Sequence, residues 1–382
     1  MKKLLKLVMI GSLPVDLESV KGGVEAVILN LLSGFNELDE IHVTHLSFNK
    51  DITETTIVEI SSSIKIIFIP FKLKYDLPDY FFNAKVLNEI LKEEKPDLIH
   101  IQEITPQILR FFSYSKDNIV VTQHGIMKEE IKYAEGLRKL KCLFKLLVEQ
   151  LYFPHFKNLV FISSYNKSLF RGKINNSVKI YNPVNPIFFK EADDIAFNNS
   201  LLYVGVINRR KNLIIVLEAI YALKERNIIF KLHIVGGFKD KEYEKEIKNC
   251  IEKYQLSPQI TFHGWRKQEE ILEIYQYCPI FILPSKQETL PVSIGEAMAL
   301  GKVVIASDVG AISEMFRDNH SGFLFRKDRV IDIVKILEML HNNVTMVKAI
   351  STNAKNEALN KFHPSLVAKK TLVFYKDLIN QS

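Results

Sequence analysis

The sequence predicts two doubly wound α/β domains in series, and three observations carry that prediction. Short β-branched runs alternate with longer amphipathic stretches from end to end, the signature of βαβ units and mainly parallel sheets. The chain has 382 residues, more than one ordinary domain needs and enough for two cores. A proline-punctuated stretch, Asn182-Pro183-Val184-Asn185-Pro186, interrupts the pattern near its middle and suits an extended linker.

Before that linker, strands are expected near Lys6–Ile10, His42–Phe48, Lys65–Ile69, Leu98–Ile101, Ile119–Thr122 and Leu159–Ile162. After it, they are expected near Leu201–Gly205, Lys231–Val235, Gln259–Phe262, Ile280–Leu283, Val303–Ala306 and Gly322–Phe325. Helical periodicity or a turn signal follows each, and helices finish the chain. The expected divisions are residues 1–182, residues 183–360, and a C-terminal helix over 361–382 that packs back toward the first domain. Ligands of open α/β sheets bind outside the carboxyl ends of the strands, so the cleft between the two domains is the expected site.

Composition narrows the class. Hydrophobic residues make up 47% and charged residues 25%, as in soluble globular proteins, and no apolar run reaches the ~20 residues a membrane span needs. Lys2 and Lys3 open the chain as in a signal peptide, but Lys6 breaks the apolar run and no small-residue cleavage site follows, so a first strand is expected there. Cys142, Cys250 and Cys278 stand far apart without CxxC spacing, which gives neither a disulfide framework nor a zinc site and fits a reducing cytoplasm. The 51 basic residues exceed the 44 acidic ones by a modest +7. That balance suits phosphates or acidic lipids, and no nucleic-acid-binding pattern accompanies it.

The strongest chemical signal runs from Leu283 to Leu300. Glu288 and Glu296 stand eight residues apart across a loop-to-helix junction, with the helix expected to begin near Val292. The unpaired amides of about Leu290 to Ser293, around Pro291 and Val292, make an anion seat, and a carboxylate on either side grips sugar hydroxyls. That combination suits a nucleotide-sugar. As bare chemistry, the same pair of glutamates serves equally as a cap and a solvated face.

The surrounding residues are similar to those of the retaining GT-B glycosyltransferases of family 4. That family carries Glu-x7-Glu followed by Ala-Met-Ala-x-Gly, matched here by Glu288, Glu296, Ala297-Met298-Ala299 and Gly301. The resemblance spans nearly the whole chain. Gly22-Gly23-Val24-Glu25 looks like the family's glycine loop at the donor diphosphate, and His124, after Val121-Thr122-Gln123, resembles its strand-end histidine facing the transferred sugar or acceptor. Ser163, Ser164 and Asn182-Pro183-Val184 fall at family positions near the domain boundary. Ile234-Val235-Gly236-Gly237 resembles the nucleotide-side turn, with Gly237 among the donor-binding positions, and Phe262-His263-Gly264 the turn by the base. Gly310, Glu314 and Gly322 also fall in place. The family's Gly-Arg-x4-Lys-Gly phosphate loop is matched only in part by Gly205 to Asn212. Val206 stands where the arginine is usual and Asn212 replaces the glycine, so Lys211 alone carries over, with Arg209 or Arg210 as candidates for the missing guanidinium.

The resemblance implies the GT-B architecture, two Rossmann-like doubly wound domains facing across a cleft, with the first binding acceptor and the second binding donor. It implies transfer of a hexose-type sugar, with retention and without a metal, from a nucleotide-sugar to a glycan or lipid-linked acceptor. The donor is a substrate and no cofactor is expected; a UDP-sugar is the favoured one. Glu288 would orient the sugar, Glu296 hold the ribose, Lys211 stabilise the diphosphate and His124 contact the sugar. Family precedent points to bacterial surface polysaccharide or glycolipid synthesis. Two other readings share the fold: a nucleotide-sugar epimerase, for which no acid–base constellation is evident, and a non-catalytic partner subunit, which Val206 favours. A dehydrogenase is disfavoured because Gly-x-Gly-x-x-Gly is missing after the first strand.

The stretch from Lys132 to Phe153 adds Lys139, Lys141 and Lys145 to Leu140, Leu143, Phe144, Leu146, Leu147 and Leu151. A helix with basic and apolar faces suits an anionic membrane presenting a lipid-linked acceptor, at the inner face of the plasma membrane. It equally suits a buried helix with a solvated lysine side.

Overall fold

The structure, a computed structural model, describes residues 4–20, 22–70, 73–74, 77–78, 80–102, 118–125, 127–133, 136–170, 172, 174–190 and 197–381. The chain forms two compact units. The first takes residues 1–183 together with 364–382, and the second takes residues 184–363.

In the first unit the strands are β1 (Leu5–Ile10), β2 (Ile41–Asn49), β3 (Thr56–Glu59), β4 (Ile64–Pro70), the two-residue pair β5 (Leu73–Lys74) and β6 (Leu77–Pro78), β7 (Leu98–Ile101), β8 (Ile119–Gln123), β9 (Asn158–Phe161) and β10 (Asn176–Lys179). Its helices are α1 (Gly23–Asn36), α2 (Tyr80–Glu94), α3 (Met127–Glu130), α4 (Gly136–Tyr152) and α5 (Ser164–Ser168). The main sheet has the order β10-β9-β8-β7-β1-β2-β4-β3, parallel except where β3 runs against β4. Strand alternation divides β1 cleanly. Leu5, Leu7 and Met9 join the core on the α1 side, whereas Val8 and Ile10 join Leu87 and Leu91 of α2 on the other.

The second unit holds β11 (Ser200–Val204), β12 (Lys231–Val235), β13 (Ile260–Gly264), β14 (Ile280–Leu283), β15 (Val303–Ser307) and β16 (Phe323–Phe325). They form one parallel sheet in the order β13-β12-β11-β14-β15-β16. Its helices are α6 (Ile214–Lys224), α7 (Lys241–Lys253), α8 (Gln268–Tyr277), α9 (Val292–Ala299), α10 (Ile312–Met315), α11 (Val330–Asn342) and α12 (Val344–Phe362). Each unit is a doubly wound, Rossmann-like domain. The strand order reverses between β1 and β7 in the first and between β11 and β14 in the second, the places where such sheets open a crevice.

Two edge strands of the first unit lie outside the sequence expectation. Thr56–Glu59 is a short antiparallel addition, and Asn176–Lys179 is a polar edge whose Asn-Ser-Val-Lys pattern has the composition of a loop.

The last helix, α13 (Pro364–Gln381), belongs to the first unit and packs along α1. Gly34 of α1 permits the approach, since a Cβ there would stand 2.3 Å from the Pro364 carbonyl oxygen. Phe35 and Tyr375, both fully buried, meet with ring centroids 6.2 Å apart. We predict that Phe35→Ala, which leaves a cavity under α13, destabilises the first unit by about 3–5 kcal/mol. The check is the denaturant midpoint of its unfolding transition.

Candidate active site

The crevice of the second unit is built from the loops that leave β11 and β14. Glu288, only 6% exposed, lies after β14. Lys211 Nζ donates to its Oε1 at 2.5 Å, Ser285 Oγ donates to the same oxygen at 2.6 Å, and Arg210 Nη1 lies 3.3 Å from its Oε2. Arg210 also donates to the Gln287 carbonyl at 2.8 Å, and the Lys286 amide donates to the Arg210 carbonyl at 2.7 Å. Burial pushes the Glu288 carboxyl up, but Lys211 and Arg210 outweigh it and hold the carboxyl below its usual range. Burial draws the Lys211 ammonium down while Glu288 opposes the fall. Two cations around one carboxylate leave a net positive charge at the strand ends, suited to a diphosphate.

Backbone conformation puts these groups there. Asn212 occupies a left-handed position, φ +54°, and its Nδ2 donates to Asp328 Oδ1 at 2.9 Å. Asparagine tolerates that region, which is why it stands in for a glycine at the end of the loop. Gly310 has φ +60°, and a Cβ on it would lie 1.7 Å from the Glu288 carbonyl oxygen. Tyr203 Oη donates to the Val206 carbonyl at 2.9 Å, bracing the turn where the family arginine is absent.

The two candidate guanidinium groups part company. Arg210 reaches Glu288. Arg209 is directed to α7 instead, pairing with Glu246 at 2.6 and 2.9 Å, lying 3.4 Å from Asp240 and resting over the Tyr243 ring. Of the two candidates, Arg210 is the one at the Glu288 cluster, while the Arg209 fork is held by Glu246 of α7 and lies near Asp240 at that helix's N-cap.

Helix α9 begins at Val292 with Pro291 at its N-cap and no side chain capping it. Leu290 and Pro291 are buried at that junction. The first amides of a helix need acceptors, and here the Ile294 amide donates to the Pro291 carbonyl at 3.2 Å. Glu296, 8% exposed, lies one turn in, and burial pushes its carboxyl up to about 7. Beyond it, Gly237 lies so close to Trp265 that a Cβ would stand 2.2 Å from Trp265 Nε1. The Ile207 amide donates to the Gly237 carbonyl at 3.0 Å, which ties the loop after β12 to the one after β11.

In the first unit, Gly22 and Gly23 open α1. Glu25 closes the turn, accepting from the Gly22 amide at 3.0 Å, and a Cβ on Gly23 would meet open space. His124 follows β8, and its Nε2 donates to Gln102 Oε1 at 2.8 Å. Gln102 Nε2 in turn lies 3.2 Å from His100 Nδ1, which also meets the Tyr375 hydroxyl of α13, while His100 Nε2 lies 2.7 Å from Thr122 Oγ1. This buried chain of neutral groups borders a cavity of about 20 Å³, room for one water. Burial pulls the His124 imidazole down to about 4, against a hydrogen bond with Asn182, and pulls His100 to about 3. Sequence reasoning did not find Gln102, His100 or Tyr375. The period-2 spacing of His100 and Gln102 at the end of a strand is the one local signal; Tyr375 lies 275 residues away.

Two predictions follow from these environments. Glu296 has its folded pKa raised from 4.5 to about 7, so its neutral form is favoured and stability falls as pH rises through that window. Glu296→Gln is therefore expected to match the wild type near pH 4.5 and to exceed it at pH 8 by roughly 3 kcal/mol, read from denaturant midpoints at both values. Gln102→Glu would set a carboxylate against His124 and raise its imidazole pKa by at least about one unit. Histidine NMR titration checks this, with Gln102→Leu expected to leave the pKa low.

Comparison with known proteins accords with this geometry. The family model described as Glycosyl transferases group 1 matches residues 190–357, and that described as Glycosyltransferase Family 4 matches residues 21–187. An uncharacterized glycosyltransferase of Methanocaldococcus jannaschii is 27% identical over 345 residues, covering 87% of this chain and 89% of its own length. The UDP-Gal:alpha-D-GlcNAc-diphosphoundecaprenol alpha-1,3-galactosyltransferase of Escherichia coli is 24% identical over 318 residues, covering 77% and 78%. The fold is shared with a sucrose-phosphate synthase from Thermosynechococcus elongatus, at a TM-score of 0.82 and 17% identity over 99% of this chain and 100% of that one. With both halves matched by glycosyltransferase models and both units doubly wound, the chain belongs to the GT-B glycosyltransferases.

Proposed function

We propose that this glycosyltransferase retains anomeric configuration and moves a hexose-type sugar from a UDP-sugar to a glycan or lipid-linked acceptor, without a metal. The observation that carries the reading is the buried Glu288 held between Lys211 and Arg210 at the β11/β14 switch point. Departure of a nucleoside diphosphate concentrates negative charge on its terminal phosphate. Lys211, Arg210 and the amides that open α9 supply preorganised positive charge against it. The Val206 departure, which favours a partner subunit without turnover, is offset by Arg210 reaching the same carboxylate.

In the proposed step the bond from the anomeric carbon to the diphosphate oxygen lengthens toward an oxocarbenium-like state. The acceptor hydroxyl oxygen bonds to that carbon on the same face, and its proton passes to the departing phosphate oxygen. The products are a glycoside of unchanged configuration and UDP. Glu288 orients the sugar hydroxyls and Glu296 accepts from the ribose; His124 and the Gly22–Gly23 turn keep the roles the resemblance gives them. The Escherichia coli relative, named for a UDP-sugar donor and a diphosphoundecaprenol-linked acceptor, supports the choice of donor and acceptor class. A relative from Erwinia amylovora named as an amylovoran biosynthesis glycosyltransferase supports a place in surface polysaccharide synthesis.

The anomeric configuration of the product, read by proton NMR coupling constants, tests retention: an inverted product overturns it. Single substitutions separate the two arginines. Lys211→Ala is expected to lower kcat roughly 10²–10³-fold. Arg210→Ala is expected to weaken UDP binding about tenfold and Arg209→Ala to leave it within about twofold, by calorimetry.

A further inference from the structure

Helix α4 is turned inside out for a soluble protein. Leu140, Leu143, Phe144, Leu147 and Leu151 are each between 45% and 63% exposed. At about 100° per residue they form one stripe about 100° wide along the helix. The opposite face holds the contacts with the first unit: Cys142 is buried, and Glu149 accepts from Gln123 Nε2 at 2.8 Å. Lys139 and Lys141, both exposed, flank the stripe on its two sides. Among the described side chains of α4 that are exposed, none is acidic. An apolar stripe bordered by cations matches an anionic bilayer, whose acyl chains take the leucines and whose headgroup phosphates take the lysines. A second copy fits worse, because face-to-face pairing of this helix would set lysine beside lysine across the seam.

We propose that α4 is a membrane-docking helix that lies in the headgroup boundary of an anionic bilayer, with its leucine and phenylalanine stripe inserted. The surface stands on its own residues and does not depend on the donor, the acceptor or retention. It would hold the first unit where lipid-linked acceptors are presented.

The test is co-sedimentation of the full chain with vesicles of phosphatidylcholine, alone or mixed with phosphatidylglycerol, in the absence of nucleotide. Expected is binding to the anionic vesicles that weakens with salt. Replacing Leu143 and Leu147 with Asp should reduce it at least about tenfold, and replacing Lys139 and Lys141 with Gln should remove the preference for anionic lipid. The chain has a single tryptophan, so a Phe144→Trp, Trp265→Phe variant reports on the stripe alone. Its emission should shift to the blue on anionic vesicles, a readout that needs no disruptive substitution. Absence of vesicle binding by the wild type overturns the proposal. So does unchanged emission from Trp at position 144. Self-association of the wild type in sedimentation velocity, abolished by the Asp substitutions while vesicle binding persists, overturns it in favour of a second copy.

Discussion

A buried carboxylate has to be compensated, and much of the second unit is arranged around that need. Glu288 is nearly sealed from water, so its charge survives only because Lys211, Arg210 and Ser285 converge on it. Those partners come from two strands adjacent in the sheet but far apart in sequence, and so the cluster fixes the two loops against each other. Removing either charge type would leave the other buried and unpaired. The left-handed Asn212 and Gly310 serve the same end, the first by turning the chain after Lys211 and the second by letting backbone pass against Glu288. A site held in this way is preorganised for an anion before the anion arrives.

The first unit follows a different physical plan. His124, Gln102, His100 and Tyr375 form a neutral chain in which burial keeps both imidazoles uncharged. It runs from the end of β8 to α13, so the C-terminal helix both covers the sheet and closes the hydrogen bonding behind His124. The hydrogen bond from His124 Nε2 to Gln102 fixes the direction of the imidazole more tightly than apolar packing does.

How much was legible in the sequence follows from how local each signal is. Interior parallel strands are largely buried and appear as short, mainly apolar runs, so Leu98–Ile101, Lys231–Val235 and Ile280–Leu283 are found with the same bounds in pattern and in structure. Edge strands lose that signature in different ways: Asn176–Lys179 is polar, and Thr56–Glu59, though rich in β-branched residues, is only four residues long and largely exposed. The start of α9 at Val292 was visible because Pro291 marks it. Which of Arg209 and Arg210 turns inward was not visible, since that depends on Glu246 and Asp240 being presented by α7. The exposure of the α4 stripe was equally hidden, because periodicity shows that an apolar face exists and not which way it points.

The central claim is that the Glu288, Lys211 and Arg210 cluster is a seat for a nucleoside diphosphate. Calorimetric titration of the wild-type protein with UDP, UMP and uridine, without added metal, tests it most directly. The account predicts that UDP binds well, that UMP is weaker, and that uridine is weakest, because the terminal phosphate is what the cations meet. Equal affinity for uridine and UDP, or no binding of UDP at about millimolar concentration, would contradict it.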